Sequence, residues 1–472
     1  MAMRRIVIIG GGISGLAAAY RLTQAAPGLA LTLVESEHRL GGKILTERVD
    51  GFVIEGGPDT FLAYKPRGLG LCRELGLESR LHGTNERIRR TYVMRRGKLY
   101  ELPEGLTGLV PSRFGPMLKT GLISPLGKVR MALEVALPAN SANADESLAS
   151  FVERRLGREL YDHLIEPLMS GIYAGDGYQL SLAATFPQLR QMELEHGSLI
   201  KGMLTAKRKS SVPKPSWAFL SATTGLAEIV EALQARLSGA DIRLGMRAIR
   251  VEAASPGYRV WLENDELLPA AAVIIATPAF VTADLVAALD PELAQALRSI
   301  PHVSTATISV AYRLADVPRL LDGYGYIIPR AEGRPILACT WTSTKFPHRA
   351  PEGFGLIRAF IGRATPGVAT QASSREIGEM GDEELLAMVR DELGRTLGIT
   401  AAPALHRIFR WPKAMPQYTL GHLDRLTVIE NRQGAHPGLF LAGNAYRGIG
   451  IPDCIASGEQ AAENAKRFIH PG

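Results

Sequence analysis

Near its start the chain reads Ile6-Val7-Ile8-Ile9-Gly10-Gly11-Gly12-Ile13-Ser14-Gly15. Four consecutive β-branched aliphatic residues are typical of a strand that is buried on both faces. An alanine-rich helical pattern follows from Ile13 to Thr23, and a second strand is predicted at Leu31–Val34. A strand, a glycine turn, a helix and a second strand make a βαβ unit, so the sequence predicts a Rossmann-like fold.

The turn has the glycine spacing G-x-G-x-x-G. Gly10 allows the tight turn, Gly12 lets the backbone approach a pyrophosphate, and Gly15 lets helix and strand pack closely. The phosphates are expected at the N-terminus of the helix, where free N–H groups and the helix dipole favour anions. Glu35 ends the second strand, where a carboxylate binds a ribose diol and repels the 2′-phosphate of NADP. These features predict a dinucleotide site.

Two further glycine turns favour FAD over NAD. Arg39–Lys43 reads Arg-Leu-Gly-Gly-Lys, and Glu55–Thr60 reads Glu-Gly-Gly-Pro-Asp-Thr. Such turns expose backbone that can line an extended FAD along its pyrophosphate and ribityl chain. Near the C-terminus, a predicted strand at Leu439–Ala442 leads through glycines to a predicted helix at Pro452–Phe468. The N-terminus of that helix is expected beside the N1–C2=O edge of the flavin, where its dipole stabilises the reduced form.

The middle of the chain changes character several times. A helical stripe runs from Leu148 to Leu168, and the polar stretch Lys201–Pro215 is predicted to be an exposed loop. A buried parallel strand is predicted at Ala271–Pro278, alternating strands between Thr305 and Ile361, and a helix at Asp382–Leu397.

The predicted fold class is α/β, with a Rossmann-like FAD-binding domain, a mixed-sheet substrate domain and a helical insertion. No internal repeat is visible, so we expect domains built from discontinuous segments. The predicted FAD-binding domain comprises residues 1–85, 216–295 and 411–472, the substrate-binding domain 86–110 and 296–410, and the helical domain 111–215.

Composition and charge limit the classes of function that the chain is expected to have. The net charge is +7, but the basic residues are scattered apart from clusters at Arg87–Arg96 and Lys207–Lys209, so a nucleic-acid partner is not expected. Three widely spaced cysteines predict neither a metal site nor a disulfide framework and fit a reducing cytoplasm. The longest apolar run, Pro269–Ala283, contains two prolines and is too short to span a membrane, so we expect a protein that is soluble or peripherally bound.

Three later segments are more specific: Gly171–Asp176, Trp411–Tyr418 and Gly443–Cys454. Together with the glycine turns they resemble the FAD-dependent protoporphyrinogen/coproporphyrinogen oxidases of haem synthesis, which sit within the wider amine-oxidase-like flavoproteins. The resemblance runs over nearly the whole chain. It implies an oxygen-dependent six-electron oxidation of a porphyrinogen, with release of hydrogen peroxide.

The resemblance also implies roles for individual residues. Lys65, Ile172 and Phe360 match positions that surround the tetrapyrrole, although from the residues alone Lys65 fits a surface loop and the other two fit core packing. Asp59 is the acidic residue to test for a catalytic role near the reacting centre. The FAD contacts implied are Gly10, Gly11, Gly12, Ile13, Ser14, Gly15, Glu35, Ser36, Arg39, Lys43, Gly57, Pro58, Asp59, Thr60, Ala248, Trp411, Ile449, Gly450 and Ile451.

Departures from the family pattern bear on the substrate. Thr91 stands where plant and animal protoporphyrinogen oxidases carry an arginine for a substrate carboxylate. The stretches Gly57–Ala63 and Ala338–Thr342 look more like the Gram-positive branch, which acts on coproporphyrinogen III. Arg89 or Arg90 could still supply a cation nearby, so the choice between the two porphyrinogens stays open.

Two other classes of function stay open from the sequence. One is a flavin amine oxidase or carotenoid-type desaturase on the same fold, and the other is a non-enzymatic flavin-binding module. The expected partners are a porphyrinogen and molecular oxygen. Peripheral membrane contact and hand-over of product to a ferrochelatase also stay open.

Overall fold

The computed structural model describes residues 5–25, 28–107, 110–111, 114–140, 144–209, 217–364 and 377–470. Its centre is a parallel sheet of five strands, and the βαβ unit predicted at the start of the chain is confirmed. Its strands in spatial order are Asp241–Arg243, Ala30–Val34, Arg5–Ile9, Ala272–Ile275 and Leu439–Leu441.

Both faces of the parallel sheet are covered, as the continuous aliphatic run predicted. Ile6 and Ile8 point into a core formed with the first helix, Ile13–Ala25, and the last helix, Ile451–Ile469. A Cβ placed on Gly458 would lie 2.0 Å from the carbonyl oxygen of Ser14, so only glycine lets these two helices touch.

The opposite face of the parallel sheet packs against a second layer through Val7 and Ile9. This layer combines a small antiparallel sheet with three helices. Its strands are Ala248–Ala253, Tyr258–Leu262 and Leu267–Ala270, and its helices are Ala279–Leu285, Pro291–Arg298 and His422–Gly434.

A mixed sheet of seven strands forms the other half of the molecule, and the predicted alternating strands are confirmed. Neighbouring strands are antiparallel except for one parallel pair, Gly325–Ile327 with Tyr92–Arg95. In spatial order the strands are Leu405–Pro416, His302–Arg313, Phe354–Ile361, Ile336–Trp341, Gly325–Ile327, Tyr92–Arg95 and Lys98–Glu101.

One face of the seven-stranded sheet is covered by the predicted helix Asp382–Leu397 through Leu385 and Val389. The other face, here called the inner face, carries Thr307 and Arg358, which donate hydrogen bonds to the backbone of Glu55–Thr60, here called the second glycine turn. The inner face therefore lies against the region where the cofactor is expected.

The helical insertion differs from the prediction in two places. The stripe Leu148–Leu168 is not one helix, because Gly157 adopts φ +95° after Leu156 and Pro167 lies in a new helix, Glu166–Tyr173. The predicted loop at Lys201–Pro215 is wrong for residues 201–209, which continue the helix Leu199–Lys209. Buried Leu199 and Ile200 anchor its start, and residues 210–215 lie outside the described part of the chain.

The remaining elements are short, and the division into three domains with their boundaries stays a prediction. The remaining strands are Thr46–Val49, Phe52–Glu55, Phe61–Leu62, Leu81–Gly83, Leu106–Thr107, Val110–Pro111 and Phe219–Ala222. The remaining α-helices are Pro66–Glu74, Phe114–Lys119, Pro125–Ala132, Leu148–Leu156, Arg158–Leu160, Leu182–Thr185, Pro187–His196, Ala227–Ala235 and Thr342–Lys345. A π-helical turn spans Tyr161–Ile165, and the 3-10 turns are Glu78–Arg80, Leu133–Ala136, Leu314–Asp316, Arg330–Glu332, Pro347–Arg349 and Ile377–Glu379.

Candidate cofactor and substrate site

Glu35 is held in place by backbone donors. The N–H of Gly11 donates to Oε2 at 2.6 Å, and the N–H of Glu37 donates to Oε1 at 2.8 Å. Oε2 retains a lone pair that can accept a hydrogen bond from a ribose hydroxyl. The N–H of Met246 bonds the carbonyl of Glu35 at 2.9 Å, which brings Ala248, two residues further on, to the same end of the cleft. Ser36 bonds the Glu35 carboxylate at 3.2 Å.

The glycine turns at Gly10–Gly15 and Arg39–Lys43 contact each other and leave space for a ligand. Gly41 donates its N–H to the carbonyl of Gly11 at 2.9 Å. A Cβ on Gly42 would lie 3.1 Å from the Cα of Gly12, whereas a Cβ on Gly12 would meet no atom within 4 Å. Open space therefore lies at the N-terminus of the first helix, where Ile13 and Ser14 are buried, and it fits a pyrophosphate.

Arg39 has a structural contact in this turn. Its guanidinium donates to the carbonyl of Gly42 at 2.7 Å and to that of Leu40 at 3.3 Å. These hydrogen bonds stabilise the conformation of the turn. A direct contact between Arg39 and the cofactor stays a prediction.

Lys43 joins three of the predicted segments. Its ammonium donates to the carbonyl of Ala414 at 2.5 Å, and burial lowers the pKa of Lys43 to about 8. A Cβ on Gly57 would lie 1.8 Å from the carbonyl oxygen of Lys43 and 3.7 Å from the ring of Trp411. Lys43, Gly57 and Trp411 therefore surround the same space, beyond the pyrophosphate region.

The last helix begins at this end of the cleft. Gly450 caps it, and the N–H of Gly450 donates to the Asp453 carboxylate at 3.3 Å. Lys65 donates to both oxygens of Asp453, at 2.7 and 2.6 Å. Lys65 is therefore not a free surface lysine, because it neutralises a carboxylate at a helix N-terminus. Ile449 and Ile451 flank the cap.

Asp59 forms a partly buried ion pair with Lys345, whose ammonium lies 2.8 Å from Oδ2. Burial alone would raise the pKa of Asp59, but Lys345, Arg358 and Arg349 outweigh it and lower the pKa to about 2. Such a carboxylate accepts a proton weakly and stays ionised. Thr60 bonds Asp59 at 3.1 Å, across the short turn that also contains Pro58.

Two of the predicted substrate residues, Ile172 and Phe360, precede segments that are joined to each other. Ile172 lies on the helix Glu166–Tyr173 with 45% of its surface exposed, so its expected core packing is wrong. Phe360 is half-buried on the inner face, with the guanidinium of Arg358 4.7 Å from its ring centroid. The segments that follow them are joined by a hydrogen bond of 2.8 Å from Ala364 N to Ala174 O.

Thr91 lies apart from this pair. It precedes the strand Tyr92–Arg95 and belongs to the same sheet face as Phe360, but three strand spacings separate them, roughly 14 Å. The neighbouring Arg90 is largely exposed and forms an ion pair with Asp322 at 2.9 Å. Arg89 is also exposed, 3.5 Å from Glu86.

The buried charges behind the second glycine turn are not among the residues that the sequence pattern predicts. Arg349 donates to Glu55 at 2.8 Å and both side chains are buried, while Lys345 and Arg358 complete the group. The signal that could have revealed Arg358 is a single charged residue inside the apolar strand Phe354–Ile361. No comparable signal marks Lys345 or Arg349, which lie in irregular sequence.

Comparisons with known proteins agree with this geometry. The family model of flavin containing amine oxidoreductases matches residues 13–465. The chain is 36% identical to coproporphyrinogen III oxidase of Bacillus subtilis, covering 99% of this chain and 98% of the relative. It is 34% identical to the Staphylococcus aureus enzyme of that name, over 98% of both, and 32% identical to human protoporphyrinogen oxidase, over 97% and 98%.

Solved structures show the same fold. A crystal structure from Exiguobacterium sp. 255-15 has a TM-score of 0.84 at 35% identity and covers 98% of both chains. Wild-type putrescine oxidase bound to putrescine has a TM-score of 0.68 at 17% identity, again over 98% of both chains. At that identity the likeness shows the fold alone.

Replacement of Glu35 tests the dinucleotide site. Glu35→Gln keeps the size of the side chain but replaces one carboxylate oxygen with an NH2 group, which cannot accept a hydrogen bond. We expect the dissociation constant of the dinucleotide to rise about tenfold or more, as loss of a charge-assisted hydrogen bond implies. Equilibrium titration of the apoprotein by fluorescence measures it. Glu37→Gln, on the exposed neighbour, serves as the control, and equal affinities of the two variants would contradict the assignment.

Proposed function

Because the chain belongs to the flavin containing amine oxidoreductase family, we propose that it binds FAD and carries out the oxygen-dependent six-electron oxidation of a porphyrinogen in haem biosynthesis. One observation carries the substrate class. The chain is 36% identical to a coproporphyrinogen III oxidase over 99% of its length, whereas amine-oxidising structures on this fold share only about half that identity. The product released from oxygen is hydrogen peroxide.

The residues of the cleft fit FAD along its length. Glu35 and the segment at Ala248 bind the adenosine end, the open space at Gly12 receives the pyrophosphate, and Lys43, Gly57 and Trp411 surround the flavin end. When bound, the flavin supplies a two-electron acceptor whose electrons pass to oxygen. The chain's own groups bind and orient it.

The substrate occupies the space between the inner face and the helix Glu166–Tyr173. Ile172 and Phe360 offer apolar contacts to the macrocycle. Lys65 offers a cation to a propionate, sharing it with Asp453. Asp59 lies near the reacting centre in this proposal but is not its general base, because a carboxylate paired with Lys345 and with a pKa of about 2 accepts a proton weakly.

The preferred substrate in this proposal is coproporphyrinogen III. Neutral Thr91 supports this choice, and the cations beside it are engaged with Asp322 and Glu86 at the surface. The coproporphyrinogen III oxidases of Bacillus subtilis and Staphylococcus aureus, at 36% and 34% identity, also exceed human protoporphyrinogen oxidase, at 32%.

The alternatives have less support. The case for amine oxidation rests on the fold that putrescine oxidase shares. Tyr446, the aromatic residue of the segment Gly443–Cys454, packs against the core beside the parallel sheet. A desaturase or a non-enzymatic flavin module finds no specific support in the geometry.

A comparison of rates tests substrate and site together. We expect kcat/KM for coproporphyrinogen III to exceed that for protoporphyrinogen IX by at least about tenfold, and Lys65→Met to raise KM about tenfold through loss of a charge-assisted hydrogen bond. Porphyrin fluorescence follows both. Lys98→Met, on an exposed edge strand, is the control. A preference for protoporphyrinogen IX would overturn the choice of substrate, and oxidation of neither would overturn the function.

Peripheral membrane contact is a further part of the proposal. No helix in the described residues is long and apolar enough to cross a membrane. On and just after the helix Pro125–Ala132, however, Leu126 is 82% exposed, Val129 59% and Leu133 53%, with Lys128 on the same helix. An exposed apolar patch with cations is typical of an interfacial surface. Residence in the cytoplasm and hand-over to a ferrochelatase stay predictions.

Vesicle binding tests this patch. The double variant Leu126→Ser and Val129→Ser should lose most of its cosedimentation with vesicles that contain anionic lipid, because each change removes apolar area from the interface. Leu314→Ser, at an exposed leucine in the 3-10 turn that follows the strand His302–Arg313, is the control. Sedimentation of the double variant at the level of the control would exclude the patch as the contact.

A further inference from the structure

Five charged side chains form a buried cluster behind the second glycine turn: Glu55, Asp59, Lys345, Arg349 and Arg358. Arg349 and Glu55 are 1% and 2% exposed, Lys345 and Asp59 are 14% and 17% exposed, and Arg358 is 2% exposed. Two carboxylates face three cations, so the cluster carries one excess positive charge.

Arg358 supplies the excess charge. Glu55 pairs with Arg349 and Asp59 with Lys345, whereas no carboxylate among the described residues lies within ion-pair distance of Arg358. Its guanidinium instead donates to the carbonyl oxygens of Gly56, at 3.2 Å, and of Gly57. Burial lowers the pKa of Arg358, but a guanidinium stays charged.

The side chains around Arg358 hold its charge in a fixed position. Among the described residues, the buried Nε atoms of Arg349 and Arg358 have no hydrogen-bond partner, and both arginines line a small cavity that Asp59 also lines. A buried cation hydrogen-bonded only to carbonyl oxygens is costly, which points to a role other than stability.

Arg358 also fixes the backbone of the turn. The carbonyl of Gly56 accepts from Thr307 Oγ1 at 2.7 Å and from Trp411 Nε1 at 2.8 Å, besides Arg358. All three donors lie on strands of the seven-stranded sheet. In a trans peptide the N–H points opposite to the carbonyl, so the Gly57 N–H is turned away from the sheet, toward the cleft.

From this geometry we propose that Arg358 is a positioning residue for the bound flavin. It orients the Gly56–Gly57 peptide, and its uncompensated charge lies directly behind the turn that faces the flavin end of the cleft. A fixed positive charge there stabilises the electrons gained on reduction and therefore raises the flavin's reduction potential. The inference rests on the flavin binding of the proposed function and is independent of the substrate.

The test is the reduction potential of the bound flavin, measured against a reference dye under anaerobic conditions. Arg358→Gln should lower the ratio of reduced to oxidised flavin at fixed poise at least tenfold, a fall of about 30 mV for a two-electron couple. Arg358→Lys keeps the charge and should stay within threefold of the wild type. Arg313→Gln, an exposed arginine at the end of a neighbouring strand, is the control and should change nothing.

A variant of opposite sign separates charge from folding. Asp59→Asn removes a negative charge from the same cluster and should raise the ratio of reduced to oxidised flavin, whereas general damage to the site would not reverse the sign. The proposal is overturned if Arg358→Gln leaves the ratio unchanged, if Arg358→Lys falls as far as Arg358→Gln, or if Asp59→Asn shifts it downward. Because no porphyrinogen is used, failure of the proposed substrate would leave these results intact.

Discussion

The carbonyl oxygen of Gly56 is the point on which the rest of the structure depends. It accepts hydrogen bonds from Thr307, Trp411 and Arg358, on three strands of the seven-stranded sheet, while its own turn contacts Lys43 from the first part of the chain. One short turn therefore contacts both the first part of the chain and the seven-stranded sheet. Any change in the packing of the sheet would be transmitted to the cofactor through this turn.

Local pattern explains what could be predicted. The βαβ unit, the alternating strands and the helix Asp382–Leu397 follow from residue periodicity and from glycines with a required conformation. The break at Gly157 and the helix Leu199–Lys209 were missed because a helical stripe does not report where the axis bends, and a polar surface does not exclude a helix. The charge cluster joins residues almost three hundred positions apart, and no local pattern encodes such a contact.

Within the candidate site, sequence pattern predicts the glycine turns but not the side chains that pack around them. Glu35 lies on the Gly11 N–H as a ribose-binding acid should. By sequence alone Lys65, in contrast, fits a loop lysine or a substrate ligand. Its partner Asp453 comes close only when the last helix packs against the early part of the chain. The fold is common to amine oxidases, so the glycine turns alone do not determine substrate specificity, which the proposal assigns to the inner face and the helix Glu166–Tyr173.

The central claim is that a porphyrinogen delivers electrons to the bound flavin. Its most direct test is anaerobic mixing of the FAD-loaded protein with coproporphyrinogen III or with primary amines and polyamines, followed by flavin absorbance. The account predicts rapid loss of the oxidised flavin band with the porphyrinogen and no loss with the amines. Bleaching by an amine alone would contradict it.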